Sequence, residues 1–204
     1  MKTLIITDLQ HDFMPGGPLE VPYANEIIPI VNLLIPHFEH VIAVLDWHPA
    51  NHVSFSTTHQ KKEGEVLHMH GLEQILWPPH CIQKTHGAQL ANGLHKERIE
   101  KTFHKGIDAD MDSYSVFFDN IRHRSTGLAS YLRGKHLKDL YFVGVALDYC
   151  ILYSTLDALM LGFTVTVIRD ACRAINLYPR NDEKALETMR AKGATIALSS
   201  DFLH

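Results

Sequence analysis

The sequence predicts an α/β fold, a six-stranded and mainly parallel sheet with helices on both faces. Short apolar, β-rich runs alternate with runs at helical spacing, the order that parallel strands with crossover helices require. Two apolar runs end directly at an Asp, as expected of buried strands that lead into a site. The 204 residues, 46% of them hydrophobic and 21% charged, predict one globular domain over 1–204.

Six runs are predicted to be strands. In chain order they are Thr3–Thr7, Val41–Leu45, Ile99–Phe103, Leu140–Val145, Phe163–Ile168 and Thr195–Leu198. The first two are apolar almost throughout, which is typical of strands covered on both faces. Ile99–Phe103 has the weakest pattern.

Four runs are predicted to be helices. They are Asn25–Phe38, Gly127–Arg133, Asp148–Leu161 and Asp182–Lys192. Pro29 is compatible with the first helix because it falls near the first turn, where backbone amides have no intrahelical partner. Gly162 and Gly193 follow the third and fourth helices, the position where glycine commonly ends a helix. The stretch 49–97, with scattered Pro, Gly, His and Asn, is predicted to be a long functional loop.

Charge and composition exclude several classes of protein. With 19 Lys and Arg against 23 Asp and Glu, the formal charge is −4 and no basic run occurs, which argues against a nucleic-acid partner. No apolar stretch approaches about 18 residues, so no membrane span is predicted. The N-terminus reads as a strand rather than a signal peptide. The three cysteines, Cys81, Cys150 and Cys172, are too few for a disulfide framework and favour a cytoplasmic location.

Polar groups that follow four predicted strands should converge on one crevice. Asp8, Asp46 and Lys105 come at or just after strand ends, and the turn 146–150 follows a fourth strand. In parallel sheets, sites form beyond the carboxyl ends of the strands. The sequence therefore predicts one site that contains all four.

Cys150 lies at the start of a predicted helix, after a tight turn. The positive end of that helix and several free amides are expected to lower the pKa of the thiol and to bind an oxyanion. Asp8 and Lys105 would then supply a base and a positive charge. The alternative is a small buried cysteine that caps a helix, with solvated charges around it.

A second constellation suits a metal ion. Asp46 and His48 are two residues apart, so on an extended strand end they point to the same side. His52 and His80 are candidates for a third ligand. A carboxylate with imidazoles suits zinc, iron or manganese, although a capping Asp with surface histidines explains the same pattern. His68 and His70 have the same two-residue spacing and compete for the role.

Seven ordered blocks resemble one known family, the nicotinamidases of the isochorismatase-like cysteine hydrolases. The blocks are DLQHDFMPGG (8–17), DWHPANHVSF (46–55), WPPHC (77–81), FHKG (103–106), DSYSVFFDN (112–120), STGL (125–128) and GVALDYC (144–150). The second and third blocks distinguish nicotinamidases from metal-free relatives. The resemblance covers most of the chain.

The resemblance implies a catalytic role for several residues. Cys150 matches the nucleophile, Asp8 the general base and Lys105 the third member of the triad. Ala146 matches the residue that follows a cis peptide bond and supplies one oxyanion amide, and Cys150 supplies the other. His11 is a departure, since the family usually has Asn there; we expect this position to support the Asp8 loop.

The resemblance also implies one divalent metal ion. Asp46, His48 and His80 match its ligands. His52 matches a position that binds the metal directly in some members and through water in others. The spacing leaves zinc, iron and manganese open.

The reaction that the resemblance implies is hydrolysis of nicotinamide to nicotinate and ammonia, with pyrazinamide as a second substrate. The ring would lie between Phe13 and Trp77 with its nitrogen on the metal, and Tyr114 matches a third aromatic position of the pocket. Rival interpretations are a cysteine amidase of the same fold with another small amide as substrate, and a non-catalytic binding module. An aspartyl phosphatase is disfavoured because Gln10 stands where a second Asp is needed. The helix faces are either interfaces of a homo-oligomer or plain surface.

Overall fold

The computed structural model describes residues 1–203 and contains the predicted six-stranded sheet. The eight strands are, in chain order, β1 (Lys2–Thr7), β2 (His40–Asp46), β3 (Val66–Met69), β4 (Leu72–Ile75), β5 (Lys101–Lys105), β6 (Asp139–Val145), β7 (Thr164–Arg173) and β8 (Thr195–Ala197). Six of them form one sheet in the order β5-β2-β1-β6-β7-β8, and every neighbouring pair is parallel. The α/β prediction is confirmed.

The helices lie where the apolar periodicity predicts them. They are α1 (Ile27–Leu34), α2 (Leu128–Gly134), α3 (Leu152–Met160) and α4 (Asn181–Ala191). The first predicted helix is longer than α1, because 3₁₀ turns at Ala24–Glu26 and Ile35–His37 flank it. The third predicted helix begins as a π-helical turn at Leu147–Ile151 and continues as α3. None of the helices among residues 1–203 has the length and apolarity needed to cross a bilayer.

The alternation of side chains in β1 builds a core on each face of the sheet. Leu4 and Ile6 belong to the cluster that contains the buried side of α1. Ile5, which points the other way, belongs to the cluster with the buried residues of α2, α3 and α4. All three side chains are fully buried, so β1 is a central strand covered on both faces.

Two sequence predictions are wrong in detail. The stretch 49–97 is not all loop, since β3 and β4 form an antiparallel hairpin within it. The two strands of the hairpin pair with each other and not with the six-stranded sheet. Of their eight residues a single one is buried, the polar Gln74, so no apolar pattern marks the hairpin in the sequence. The strand predicted at Ile99–Phe103 lies two residues later, at β5. It is an edge strand with exposed residues, which weakens its apolar signal.

The register of the sheet brings the strand ends together. Thr7 of β1 pairs with Val44 of β2 and with Gly144 of β6. Asp46 is the last residue of β2 and pairs with Lys105, the last residue of β5. The carboxyl ends of four strands therefore meet at one edge, where the sequence predicts the site.

Candidate active site

Lys105 lies at the centre of a buried group of charges. Its Nζ is 3.1 Å from Oδ2 of Asp8, 3.4 Å from Sγ of Cys150 and 2.5 Å from Oδ1 of Asp46. Nζ also donates to the carbonyl oxygen of Ser113 at 3.2 Å. The predicted trio of Asp8, Lys105 and Cys150 is brought together, and the ammonium also joins it to the first predicted metal ligand.

These contacts shift the ionisation of every member of the group. Burial disfavours the charged form of Lys105, but the carboxylates of Asp46 and Asp8 outweigh it and hold its pKa well above the usual value. Burial raises the pKa of Asp8 from 3.8 to about 7, against the opposing effect of Lys105. Burial also raises the pKa of the Cys150 thiol well above its usual value, and Lys105 opposes this. The expected lowering of that pKa by the helix end is therefore wrong, because desolvation of the thiolate dominates.

The backbone around these groups is tightly constrained. Asp8 has a positive φ of 55°, and its N–H donates to the carbonyl of Val44 at 3.0 Å. Neither carboxylate oxygen of Asp8 meets full hydrogen-bond geometry within residues 1–203, and Oδ2 is in ion-pair contact with Lys105. The Val145–Ala146 peptide bond is cis, as the resemblance implies. Ala146 and Cys150 both line the cavity next to the trio.

Asp46, His48 and His80 form a candidate metal centre. Their ligand atoms lie within 4.8 Å of one another, and all three residues are buried. Nε2 of His48 is 3.5 Å from Oδ1 of Asp46, and Nε2 of His80 is 3.7 Å from Oδ2. Three of the predicted ligands are thus correctly brought together.

Hydrogen bonds at Nδ1 fix the orientation of the His48 and His80 rings. Nδ1 of His48 is 2.9 Å from the carbonyl oxygen of Gly106, and Nδ1 of His80 is 2.7 Å from that of Pro78. A carbonyl only accepts, so each Nδ1 carries a proton, and each Nε2 is turned towards Asp46. This donor set fits a divalent transition metal such as zinc or iron.

His52 lies beside this centre but outside its ligand group. Its ring centroid is 4.1 Å from that of His48. Its Nδ1 is 2.7 Å from Oγ of Ser54, and its Nε2 is 3.3 Å from the carbonyl oxygen of Met111. Burial, reinforced by His48, lowers the pKa of His52 to about 4, so the ring is neutral. It forms a second group of potential ligands with His48 and Asp112. Neither His68 nor His70, both exposed on the β3–β4 hairpin, belongs to either group.

The predicted aromatic residues line the same cavity as the nucleophile and the metal centre. Phe13, Trp77 and Tyr114 all contribute to its wall. The ring of Phe13 is 5.5 Å from that of His80, and Nε1 of Trp77 donates to the hydroxyl of Tyr114 at 3.2 Å. Aromatic side chains are therefore part of the wall that also carries Cys150 and the candidate metal ligands.

Sequence reasoning missed several residues that build the site. Gln10 holds both backbone groups of Asp46: its Nε2 donates to the carbonyl at 2.7 Å, and its Oε1 accepts from the N–H at 2.9 Å. Asp112 and Tyr149 line the cavity. No spacing rule points to Gln10, because the chain turns at Asp8, where φ is 55°. Asp112 begins one of the seven blocks, but spacing alone gives it no role.

His11 supports the Asp8 loop, as expected. Its ring stacks on that of His86 with centroids 4.0 Å apart, and the backbone N–H of His11 donates to the backbone carbonyl of Gln89 at 3.0 Å. The loop after β1 is thus fastened to the segment that follows His80.

Comparison with known proteins agrees with this geometry. Residues 2–201 match the family model described as the isochorismatase domain. The nicotinamidase of Escherichia coli strain K12 is 42% identical over 205 residues, which span 98% of this chain and 96% of that one. The chain belongs to the nicotinamidases of the isochorismatase family.

Solved structures of this nicotinamidase family share the fold over nearly the whole chain. An Acinetobacter baumanii nicotinamidase and pyrazinamidase is 39% identical and superposes with a TM-score of 0.95, covering 98% of this chain and 97% of the other. A pyrazinamidase of Pyrococcus horikoshii in complex with zinc is 37% identical and superposes with a TM-score of 0.78, covering 97% of this chain and 98% of the other.

Proposed function

We propose that this chain hydrolyses nicotinamide to nicotinate and ammonia through a thioester on Cys150. The observation that carries the proposal is one cavity lined by a thiol, by the Asp46, His48 and His80 side chains, and by the three aromatic residues. A nucleophile and a Lewis-acid site on the wall of one aromatic cavity suit an aromatic amide with a ring nitrogen. The names of the related nicotinamidases support the same substrate.

The first half of the reaction forms the thioester. Asp8 accepts the thiol proton, and Lys105, in contact with both groups, stabilises the resulting thiolate. Sγ attacks the carboxamide carbon, and the oxyanion is held by the amides of Ala146 and Cys150. Asp8 then returns its proton to the nitrogen, the C–N bond breaks and ammonia leaves.

The second half restores the enzyme. Asp8, again a carboxylate, takes a proton from water as the water oxygen attacks the thioester carbon. The C–S bond breaks and the product acid leaves, while Cys150 regains its proton. One water is consumed and one ammonia is released for each amide.

Asp46, His48 and His80 would hold one divalent metal ion. When bound, the ion supplies a Lewis-acidic position that holds and orients the pyridine nitrogen of the substrate. Zinc, iron and manganese all suit two imidazoles and a carboxylate, and the zinc complex of the Pyrococcus horikoshii relative supports zinc. Phe13 and Trp77 would flank the substrate ring, with Tyr114 completing the wall. Pyrazinamide, with the same ring size and carboxamide, would fit the same cavity.

Further properties follow as parts of the same proposal. The catalytic unit is one domain over 1–204, built on one sheet. Cys81, Cys150 and Cys172 are free thiols, which supports a cytoplasmic location.

The test is ammonia release from nicotinamide by the purified, metal-loaded protein, together with its Cys150→Ala variant. We expect rapid release by the wild type, none by Cys150→Ala, and a wild-type adduct with the mass of one nicotinoyl group in quenched samples. Cys172→Ala, which removes another buried thiol in β7, is the matched control and should stay active. Release by Cys150→Ala would rule out the thioester route. An inactive wild type with metal bound would redirect the search to other small amides.

A further inference from the structure

Six aspartates are buried in this protein, and most have an evident source of compensation. They are Asp8, Asp46, Asp112, Asp119, Asp148 and Asp157. Asp157 pairs with Arg122 at 2.7 Å, while Asp8 and Asp46 share Lys105. Burying a carboxylate without a compensating charge or several hydrogen bonds is costly. Each remaining aspartate therefore needs an explanation of its own.

Backbone amides compensate Asp119 and Asp148. The carboxylate of Asp119 accepts from the N–H groups of Ile121, His123 and Arg124. The carboxylate of Asp148 accepts from the N–H groups of Ile175 and Asn176. These two side chains stabilise loop turns, and neither lines the cavity of the candidate site.

Asp112 differs from all of these. It is 4% exposed, and its hydrogen-bond donors are Nε2 of Gln74 at 2.9 Å and the N–H of its neighbour Ser113 at 2.7 Å. Among residues 1–203, no Lys or Arg nitrogen lies within ion-pair distance of it. Its two donors are neutral amides, as those of Asp148 are, so what distinguishes Asp112 is its position beside the candidate metal ligands.

The carboxylate of Asp112 faces the candidate metal centre. It lines the same cavity as Asp46, His48 and His80. One of its oxygens lies within 4.8 Å of ring nitrogens of His48 and His52. It is not in the group formed by Asp46, His48 and His80, so it stands one layer further out.

The buried charges around the cavity are unbalanced in the protein alone. Three buried carboxyl groups, those of Asp8, Asp46 and Asp112, are matched by one ammonium group, that of Lys105. Acidic groups are therefore in excess around the cavity, and a bound divalent cation would compensate that excess. Without Asp112, a divalent cation would leave the centre with a net positive charge in a region screened from water.

We propose that Asp112 is the outer carboxylate of the metal centre, which sets the affinity for a divalent cation by charge without ligating it. This proposal rests on the metal site of the proposed function. Gln74, the buried residue of the β3–β4 hairpin, holds the carboxylate in place. Groups just outside a metal's ligands affect its affinity strongly, through charge and through orientation. The carboxylate of Asp112 compensates the charge of the cation.

The test is a titration of the metal-free protein with Zn²⁺, using a chromogenic chelator as competitor. Asp112→Asn removes the charge but keeps an oxygen that can accept from Gln74, so it separates charge from hydrogen bonding. We expect the dissociation constant for Zn²⁺ to rise about 10- to 100-fold. Asp110→Asn is the matched control: it removes the same charge two residues away, at an exposed position, and should leave the affinity within about twofold because solvent screens it.

Gln74→Met provides the second variant. It removes the hydrogen bond but keeps the charge of Asp112, so its loss of Zn²⁺ affinity should be smaller than that of Asp112→Asn. An equal or larger loss of Zn²⁺ affinity would mean that the hydrogen bond from Gln74, and not the charge of Asp112, sets the affinity, and would overturn the proposal. Thermal melts of each metal-free variant show whether the variant is folded.

The outcomes separate this proposal from the proposed function. Equal Zn²⁺ affinity in wild type and Asp112→Asn overturns the role of Asp112 and leaves the metal centre intact. A wild type that binds no divalent metal overturns the centre itself. A wild type that binds Zn²⁺ but releases no ammonia overturns the proposed function. Weaker Zn²⁺ binding by Asp112→Asn would in that case still support the charge argument.

Discussion

At the scale of single residues, Lys105 organises the ionisation of the site. It contacts Asp8 and Cys150, which the proposed mechanism uses for proton transfer, and Asp46, which belongs to the metal centre. Burial alone would keep both the thiol and the Asp8 carboxyl protonated; the ammonium opposes this in both groups. The two functions are therefore coupled through one side chain.

The raised pKa of Asp8 predicts an acid limb in the rate profile. Burial raises that pKa from 3.8 to about 7, so below that pH the group is protonated and cannot accept the thiol proton. We expect kcat/KM to fall as pH drops below about 7, and Asp8→Asn to lose about 10²- to 10⁴-fold in rate. Initial rates of ammonia release from pH 5 to 9 measure both. A normal rate in Asp8→Asn would remove this residue from the mechanism.

Gly106 is required by its contact with His48. A Cβ at this position would overlap the imidazole, and the φ of +62° is also unfavourable for other residues. Gly106→Ala should therefore displace a metal ligand and weaken Zn²⁺ binding about 10-fold or more. Gly93→Ala, at a φ of +84° where a Cβ would make only an ordinary contact 3.8 Å from Cγ2 of Ile28, is the control for backbone strain alone. Similar Zn²⁺ affinities in the two variants would contradict the argument.

The sequence could predict the residues whose roles follow from strand ends and short spacing. Asp8, Asp46, Lys105 and Cys150 lie where parallel strands must end together, and they do meet. Gln74 could not be predicted, because its burial depends on a contact with Asp112, 38 residues away. The direction of the Cys150 pKa shift was also out of reach, since it depends on how deeply the turn is buried.

At the scale of elements, the central strands were predictable and the peripheral ones were not. Strands β1 and β6 carry continuous apolar runs because both of their faces are covered. The edge strand β5 and the β3–β4 hairpin are largely exposed, so hydrophobicity does not mark their bounds. The π-helical turn at Leu147–Ile151 has apolar residues like any helix, and only its hydrogen bonds distinguish it.

The close approach of β6 to β1 predicts a strong effect at Gly144. A Cβ there would overlap the backbone carbonyl of Thr7, and the φ is +121°. Gly144→Ala should cost at least about 3 kcal/mol of unfolding free energy, from strain and overpacking together. Gly162→Ala, at a φ of +85° with nothing nearby, should cost only about 1–2 kcal/mol. Denaturant unfolding measures both; equal costs would contradict the overlap with β1.

At the scale of the whole molecule, the fold and the metal centre are largely separate. The two apolar cores lie on opposite faces of the sheet, whereas the charged groups lie at its carboxyl edge. The core on the α1 side reaches the cavity through Phe13, Trp77, Ala146 and Tyr149. Most of the buried apolar area is therefore independent of the metal. A protein of this size needs no metal to fold, so the ion is expected to add stability to a chain that is already folded.

Metal removal should accordingly weaken substrate binding far more than it perturbs the fold. After chelation we expect an unchanged far-ultraviolet circular dichroism spectrum at 25 °C and a marked loss of nicotinamide affinity. Free Zn²⁺ at 100 times its dissociation constant adds about 2.7 kcal/mol, which for this size raises Tm by roughly 5–10 °C. Zn²⁺ should restore both Tm and nicotinamide affinity, and Ca²⁺ should restore neither, because Ca²⁺ prefers oxygen ligands to imidazole. Unfolding on chelation would show that the metal is structural, and unchanged nicotinamide binding would exclude a metal contact with the ring.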